Sequence, residues 1–303
     1  CGVENFVSAG SVDSSGNYYL VGACANKIVN SPSPLPTLNP DNVIVIPTET
    51  RSDAVFLAYW KIDPNGNIID GNSMQMPGTV FPHAVIVDKF GLTIAGEIQS
   101  GLTSSYSFLV TWNSKPSYLG KSSTGIYGLS RASDGGTFAV GYSAEKLLDK
   151  PVKGKVDGFL AKFSGNGQLL AVVRSSENNA VRNWQSTNSN LFLGGVVSTN
   201  KSNSAVVTKF RNNLIPSWTF RYGATGYAMT ASTKKSLYAA FYSSGVINSV
   251  PKWKKKKVAI LQYDLRGNLL GCFYTNNFRD LQATEELGAV ILDSGSLLYT
   301  GSR

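Results

Sequence analysis

The chain of 303 residues holds a single histidine, His83, so an imidazole general base or a His-ligated metal would have to be built on that one side chain. It follows Phe81-Pro82 at the head of an apolar run, a setting that suits a structural histidine better than a proton shuttle. Carboxylates offer a second route to chemistry: two of them flanking a glycosidic bond suffice for hydrolysis. Glu97, Glu145 and Glu177 are the ones placed for it. The sequence has no Gly-x-Ser-x-Gly elbow, no metal-spaced His/Cys set and no phosphate loop. The expectation is therefore that no residue is catalytic and that no metal or cofactor is held. A carbohydrate-active enzyme working through carboxylates is the alternative.

Charge points to binding instead. Lys and Arg number 28 against 19 acids, a net charge of +9, and five of the lysines crowd into 252–257, so the rest of the chain carries only +4. Trp253, Lys254, Lys255, Lys256 and Lys257 pair an aromatic ring with a cationic run, a combination that meets nucleic acid, acidic glycan or anionic lipid by charge and stacking. Lys153 and Lys155, with Lys146 and Lys150, give a second basic loop. A solvated loop or a guarded sheet edge explains such lysines equally simply. No nucleic-acid-binding module accompanies them, so nucleic acid is not the expected partner. A protein or glycan at the cell surface is.

Cys1, Cys24 and Cys272 form an odd set. Cys1-Gly2 suits the lipid-bearing start of a mature bacterial lipoprotein. A Cys1–Cys24 disulfide is the second reading, since a hairpin turning at 13–16 sets residue 24 opposite about residue 5. Free thiols are the third. No run reaches the roughly 18 apolar residues of a membrane span.

What positions these residues is a repeat. Charged residues are only 16% of the chain, while 30 Gly, 14 Tyr and 14 Phe argue for short strands and turns over helices. Phe56-Leu-Ala-Tyr-Trp60, Phe108-Leu-Val-Thr-Trp112, Phe159-Leu-Ala-Lys-Phe163, Val206-Val-Thr-Lys-Phe210 and Ala259-Ile-Leu-Gln-Tyr263 are versions of one strand, their last aromatics 52, 51, 47 and 53 residues apart. Most run into Asn/Asp-Gly turns such as Asp63-Pro-Asn-Gly-Asn67, while the fourth copy has Asn212-Asn213 at its tip. A second hairpin family alternates with the first: Val12-Asp13-Ser-Ser-Gly16 before Tyr18-Tyr-Leu-Val-Gly22, and Val87-Asp88-Lys-Phe-Gly91 before Leu-Thr-Ile-Ala-Gly96. Asp13, Asp63, Asp88, Asp134 and Asp293 read as turn residues, lacking the acidic density of a calcium loop.

Two hairpins per period make four strands, the content of a propeller blade. The fold expected is all-β, a β-propeller of about six four-stranded blades in one domain over 1–303, the blades near 5–76, 80–123, 126–178, 180–222, 226–277 and 284–303. The last is expected to be incomplete, or closed by a terminus or by a neighbouring chain, which would allow self-assembly through blade six. Joining loops of variable length, 25–52, 144–156 and 243–257, gather on one face, where binding commonly evolves.

The hairpins, above all residues 157–170 and then 12–22 with 53–69, resemble the bacterial and archaeal SBBP-type β-propeller repeat. The resemblance implies a propeller in an exported or cell-surface protein, and it carries no catalytic residue. The reading that results is a non-catalytic extracellular binding or assembly module, with no transmembrane segment and a lipid anchor if Cys1 is acylated.

Overall fold

The computed structural model describes residues 5–25, 54–101, 103–245, 247 and 258–275, together with the backbone of three strands within 280–300. Every regular element among them is a strand. The first sheet contains β1 (Asn5–Val12), β2 (Tyr18–Cys24), β3 (Phe56–Ile62) and β4 (Ile68–Gln75), and the second β5 (Thr79–Asp88), β6 (Gly91–Gln99), β7 (Ser105–Thr111) and β8 (Ser117–Leu119). The third has β9 (Thr124–Arg131), β10 (Thr137–Ser143), β11 (Asp157–Phe163) and β12 (Leu169–Ser175), and the fourth β13 (Val181–Ser186), β14 (Phe192–Ser198), β15 (Asn203–Phe210) and β16 (Pro216–Gly223). The fifth has β17 (Met229–Ser232), β18 (Ser236–Tyr242), β19 (Val258–Asp264) and β20 (Leu269–Thr275). The sixth has three strands, β21 (Asp280–Thr284), β22 (Gly288–Asp293) and β23 (Ser296–Thr300). Each sheet is an antiparallel meander in chain order, as two successive hairpins per repeat require. No turn motif announces β21, which precedes the hairpin legible at 284–301.

Two compact units result, residues 1–127 with 164–168 and residues 128–163 with 169–303. In the first, Phe6, Val21, Leu57 and Tyr59 of sheet one pack on Val80, Ile94, Ile98 and Phe108 of sheet two. In the second, Phe138, Val140 and Leu160 meet Trp184, Leu193 and Phe210, and further along Phe192, Val207, Phe241 and Tyr263 close on one another. Burying each such side chain is worth about 1.5–3 kcal/mol. Trp184 and Trp218 therefore belong to packing: Trp184 is buried, and Trp218 lies 5.5 Å from the Phe192 ring.

The turns explain the repeat. Asp13 accepts the N–H groups of Ser15 and Asn17, both at 2.9 Å, and the Asn17 amide returns to its second oxygen. Asp63 with Asn67 and Asp264 with Asn268 repeat the arrangement. Gly16, Gly66 and Gly267 take the left-handed place in these turns, at φ 81°, 91° and 97°. Asp88 and Asp134 likewise accept turn N–H groups; the Asp293 side chain lies outside the described residues. Hydrogen bonds from Asn17, Asn67 and Asn268 hold the carboxyls of Asp13, Asp63 and Asp264 below the ordinary carboxylate range. Their contribution to stability is thus complete above the usual Asp pKa of about 3.9 and is lost as pH falls through the lower folded values. A carbon-detected NMR titration should find all three low, with Asp13 moving up toward the ordinary value in Asn17→Ala, where the backbone N–H donors and Lys61 remain.

In the fourth sheet, where glycine is missing, leucine substitutes. The left-handed residue at the fourth sheet's second tip is Leu214, φ 63°, and neither Asn212 nor Asn213. Leu191, φ 50°, does the same one hairpin earlier, and both leucines are buried. Left-handed backbone costs about 1–2 kcal/mol, which the burial of a leucine offsets.

The glycine inside the second strand of three repeats has a different origin. β1, β5 and β13 each bulge by one residue, at Ser8, His83 and Gln185. A Cβ on Gly22, Gly96 or Gly195, opposite these bulges, would stand 1.6, 2.0 and 2.1 Å from the carbonyl oxygens of Phe6, Phe81 and Asn183.

Candidate functional site

The joining loop of the third sheet, 144–156, is held by one guanidinium. Arg174, near the end of β12, donates through Nη2 to the Ser143 carbonyl and through Nη1 to the Glu145 carbonyl, both at 2.9 Å, while its Nε meets Asp157 Oδ2 at 3.0 Å. Asp157, fully buried at the start of β11, also accepts the N–H groups of Lys153 and Gly154 at 2.9 Å. Burial opposes ionisation of Asp157, but these donors outweigh it and hold its pKa below the ordinary range. Within the loop Leu147 is buried and exchanges backbone hydrogen bonds with Lys150. The Lys155 N–H reaches the Ala180 carbonyl at 2.9 Å.

On this tied backbone Lys150, Lys153 and Lys155 are exposed. The Lys155 ammonium donates to Asn200 Oδ1 at 3.1 Å. Glu177 pairs with Arg221 and lies 4.0 Å from Arg182. The arrangement fixes the backbone that carries these lysines, and Asn200 holds the Lys155 ammonium, which suits recognition of anions.

The other sequence-derived candidates divide plainly. Trp253 and Lys254, Lys255, Lys256 and Lys257 lie outside the described residues, as does Cys1. Cys24 is disulfide-bonded and pairs with Asn5 across β1–β2, the opposition anticipated from the turn. Cys272 is a free thiol whose pKa burial pushes up. Asp157 and Arg174, 17 residues apart, were not legible as a pair; the only signal was the aspartate that opens the strand.

In the first unit His83 projects from the β5 bulge beside Glu97, Nε2 to Oε1 3.5 Å, and stacks on Tyr127 with ring centroids 4.5 Å apart. Burial raises the Glu97 pKa, but His83, Tyr127 and Ser105 together bring it below the ordinary value. Next to it opens a cleft of about 260 Å³ lined by Phe81, Glu97, Gln99, Thr103, Ser104 and Ser105. Among the described residues no three His, Cys, Asp or Glu side chains gather as a metal would need, and no helix is long and apolar enough to cross a membrane.

No protein-family model matches the sequence, and no curated protein matches it. Solved structures do. The WD40 domain of Neurospora crassa Pan2 aligns with a TM-score of 0.57 at 6% identity, over 97% of this chain and 75% of that one. WD40 repeats build propeller blades of four-stranded sheets. The fold is a β-propeller. A neuraminidase-like protein from A/bat/Guatemala/164/2009 aligns at TM-score 0.48 and 10% identity, over 95% of this propeller and 80% of that chain. A protein from Bacteroides caccae aligns at 0.47 and 10%, over 77% and 78%. At such identities the likeness concerns the fold alone, and the propeller's function rests on its own side chains.

Proposed function

We propose that this propeller is an exported or cell-surface binding module without catalytic activity, and that it takes an anionic glycan or protein on the basic joining loop of its second unit. The observation that carries the reading is the Arg174–Asp157 clamp: a loop kept only to link strands has no need of a buried ion pair fixing four of its backbone groups and the Ser143 carbonyl that precedes it. Lysines on fixed backbone lose less conformational freedom on binding than lysines on a mobile loop. The disulfide at Cys24 supports an oxidising compartment, as does the resemblance of the hairpins to the SBBP-type repeat. Against catalysis, Glu177 is neutralised by Arg221 and Glu97 is held by His83.

Titration of the full chain with polygalacturonate and with polyglutamate tests the proposal. Lys153→Glu with Lys155→Glu should weaken binding about tenfold or more, roughly 1.4 kcal/mol, at unchanged thermal stability, and added salt should weaken the parent complex. Equal binding by parent and variant would remove the loop from the interface. The carboxylate-enzyme reading is favoured by the cleft at Glu97; glycan hydrolysis by the purified chain, abolished in Glu97→Gln, would put it first.

A further inference from the structure

One end of the second sheet gathers polar side chains that nothing in the basic loop accounts for. Phe81 pairs with Glu97 across β5–β6, and Glu97 with Ser107 across β6–β7. One row further out Thr79 pairs with Gln99 and Gln99 with Ser105. Directly opposed residues share a face of an antiparallel sheet, as do residues two apart on one strand. Phe81, Glu97, Gln99 and Ser105 therefore project to the same side, where Thr103 and Ser104 of the β6–β7 connection complete the cleft of about 260 Å³. That lies just below the 300–1,000 Å³ usual for drug-sized ligands, and suits a single small ring.

The chemistry of the lining selects among ligands. Glu97 is the one acidic or basic group in it, and its carboxylate already faces His83 Nε2 at 3.5 Å and the hydroxyls of Tyr127 and Ser105. An amine would have to compete with three placed donors for that carboxylate. An anion would face it directly, with no cation in the lining to help. By contrast, the Gln99 amide and the Thr103 and Ser104 hydroxyls make no hydrogen bond to any described residue. They offer donors and acceptors on neutral groups, beside a carboxylate that has about four acceptor positions. Phe81 adds a half-buried ring, one side of which lies toward Phe6 at 6.4 Å. Adjacent hydroxyls presented to acceptors and an apolar C–H face presented to an aromatic ring describe a pyranose.

We propose that this cleft binds one neutral sugar ring, with Glu97 and Gln99 taking adjacent hydroxyls, Thr103 and Ser104 bonding the rim, and Phe81 against the C–H face. The site is independent of the anionic partner assigned to the second unit, so either can fail without the other.

Saturation-transfer NMR on the full chain, with glucose, galactose, mannose, glucuronate and ethanolamine as separate probes, tests it. A neutral pyranose should receive saturation with a dissociation constant near the millimolar level. Gln99→Ala should weaken it at least about fivefold at unchanged thermal stability, and Phe81→Ala should do the same. Because Phe81 also packs on Phe6, the Gln99 variant is the decisive one should the other lose stability. No transfer to any neutral pyranose, transfer that Gln99→Ala leaves intact, or preferential transfer to ethanolamine or glucuronate would overturn the proposal.

Discussion

Arg174→Met is expected to destabilise the second unit by about 3–5 kcal/mol and to release the 144–156 loop. Methionine keeps much of the side chain's length but leaves Asp157 charged, fully buried and without its guanidinium, and it strips donors from the Ser143 and Glu145 carbonyls. Arg174→Lys should recover only a part, since one ammonium cannot reproduce the fork that serves a carboxylate and two carbonyls at once. Asp157→Asn added to Arg174→Met should be less harmful than the single change, because it removes the orphaned charge. The pair has a definite pH signature. Asp157 titrates below its ordinary value when folded, so the clamp contributes fully above about pH 3.9 and its contribution fades as pH falls through the lower folded value. Denaturant unfolding and limited proteolysis of the loop, read together, check both effects.

Gly96→Ala is the second large change. Its added methyl would lie 2.0 Å from the Phe81 carbonyl oxygen and 2.7 Å from Pro82 Cα, backbone atoms fixed by the ladder on either side of the His83 bulge. The bulge must straighten or β5 and β6 must part. Overpacking ordinarily costs about 1–3 kcal/mol and sometimes more, and backbone that cannot yield belongs at the upper end. Gly22→Ala should behave alike. Gly10→Ala is the control, because its Cβ would meet nothing nearer than the Leu20 side chain at 3.4 Å. Chemical unfolding should place both bulge variants well below the parent and Gly10→Ala close to it. Three equal values would mean that the bulges adapt.

The two hairpins per period and the turn aspartates could be read from residues alone because turn chemistry is local: an Asp, a Gly and an Asn within five positions build the whole hydrogen-bonded tip. The tips at Leu191 and Leu214 escaped that logic, since burial there overrides the preference for glycine. The lysines of the 144–156 loop were visible, but not their fixity. Arg174 meets Asp157 only once β11 and β12 pair, and the loop folds back over both. The cleft was hidden for a related reason. Phe81, Glu97 and Gln99 share a side only in a register that the one-residue bulge at His83 sets, and the local clue to that bulge was Gly96.

The most direct measurement compares the polygalacturonate isotherms of parent, Arg174→Met and Lys89→Met, below the unfolding temperature of each. Arg174→Met and Lys89→Met each remove one positive charge, and both keep every lysine of the 144–156 loop. If clamped lysines form the binding face, Arg174→Met should bind about tenfold more weakly, roughly 1.4 kcal/mol, while Lys89→Met stays close to the parent. Two variant isotherms that superimpose would show that net charge alone governs binding, and would contradict a built site on the loop.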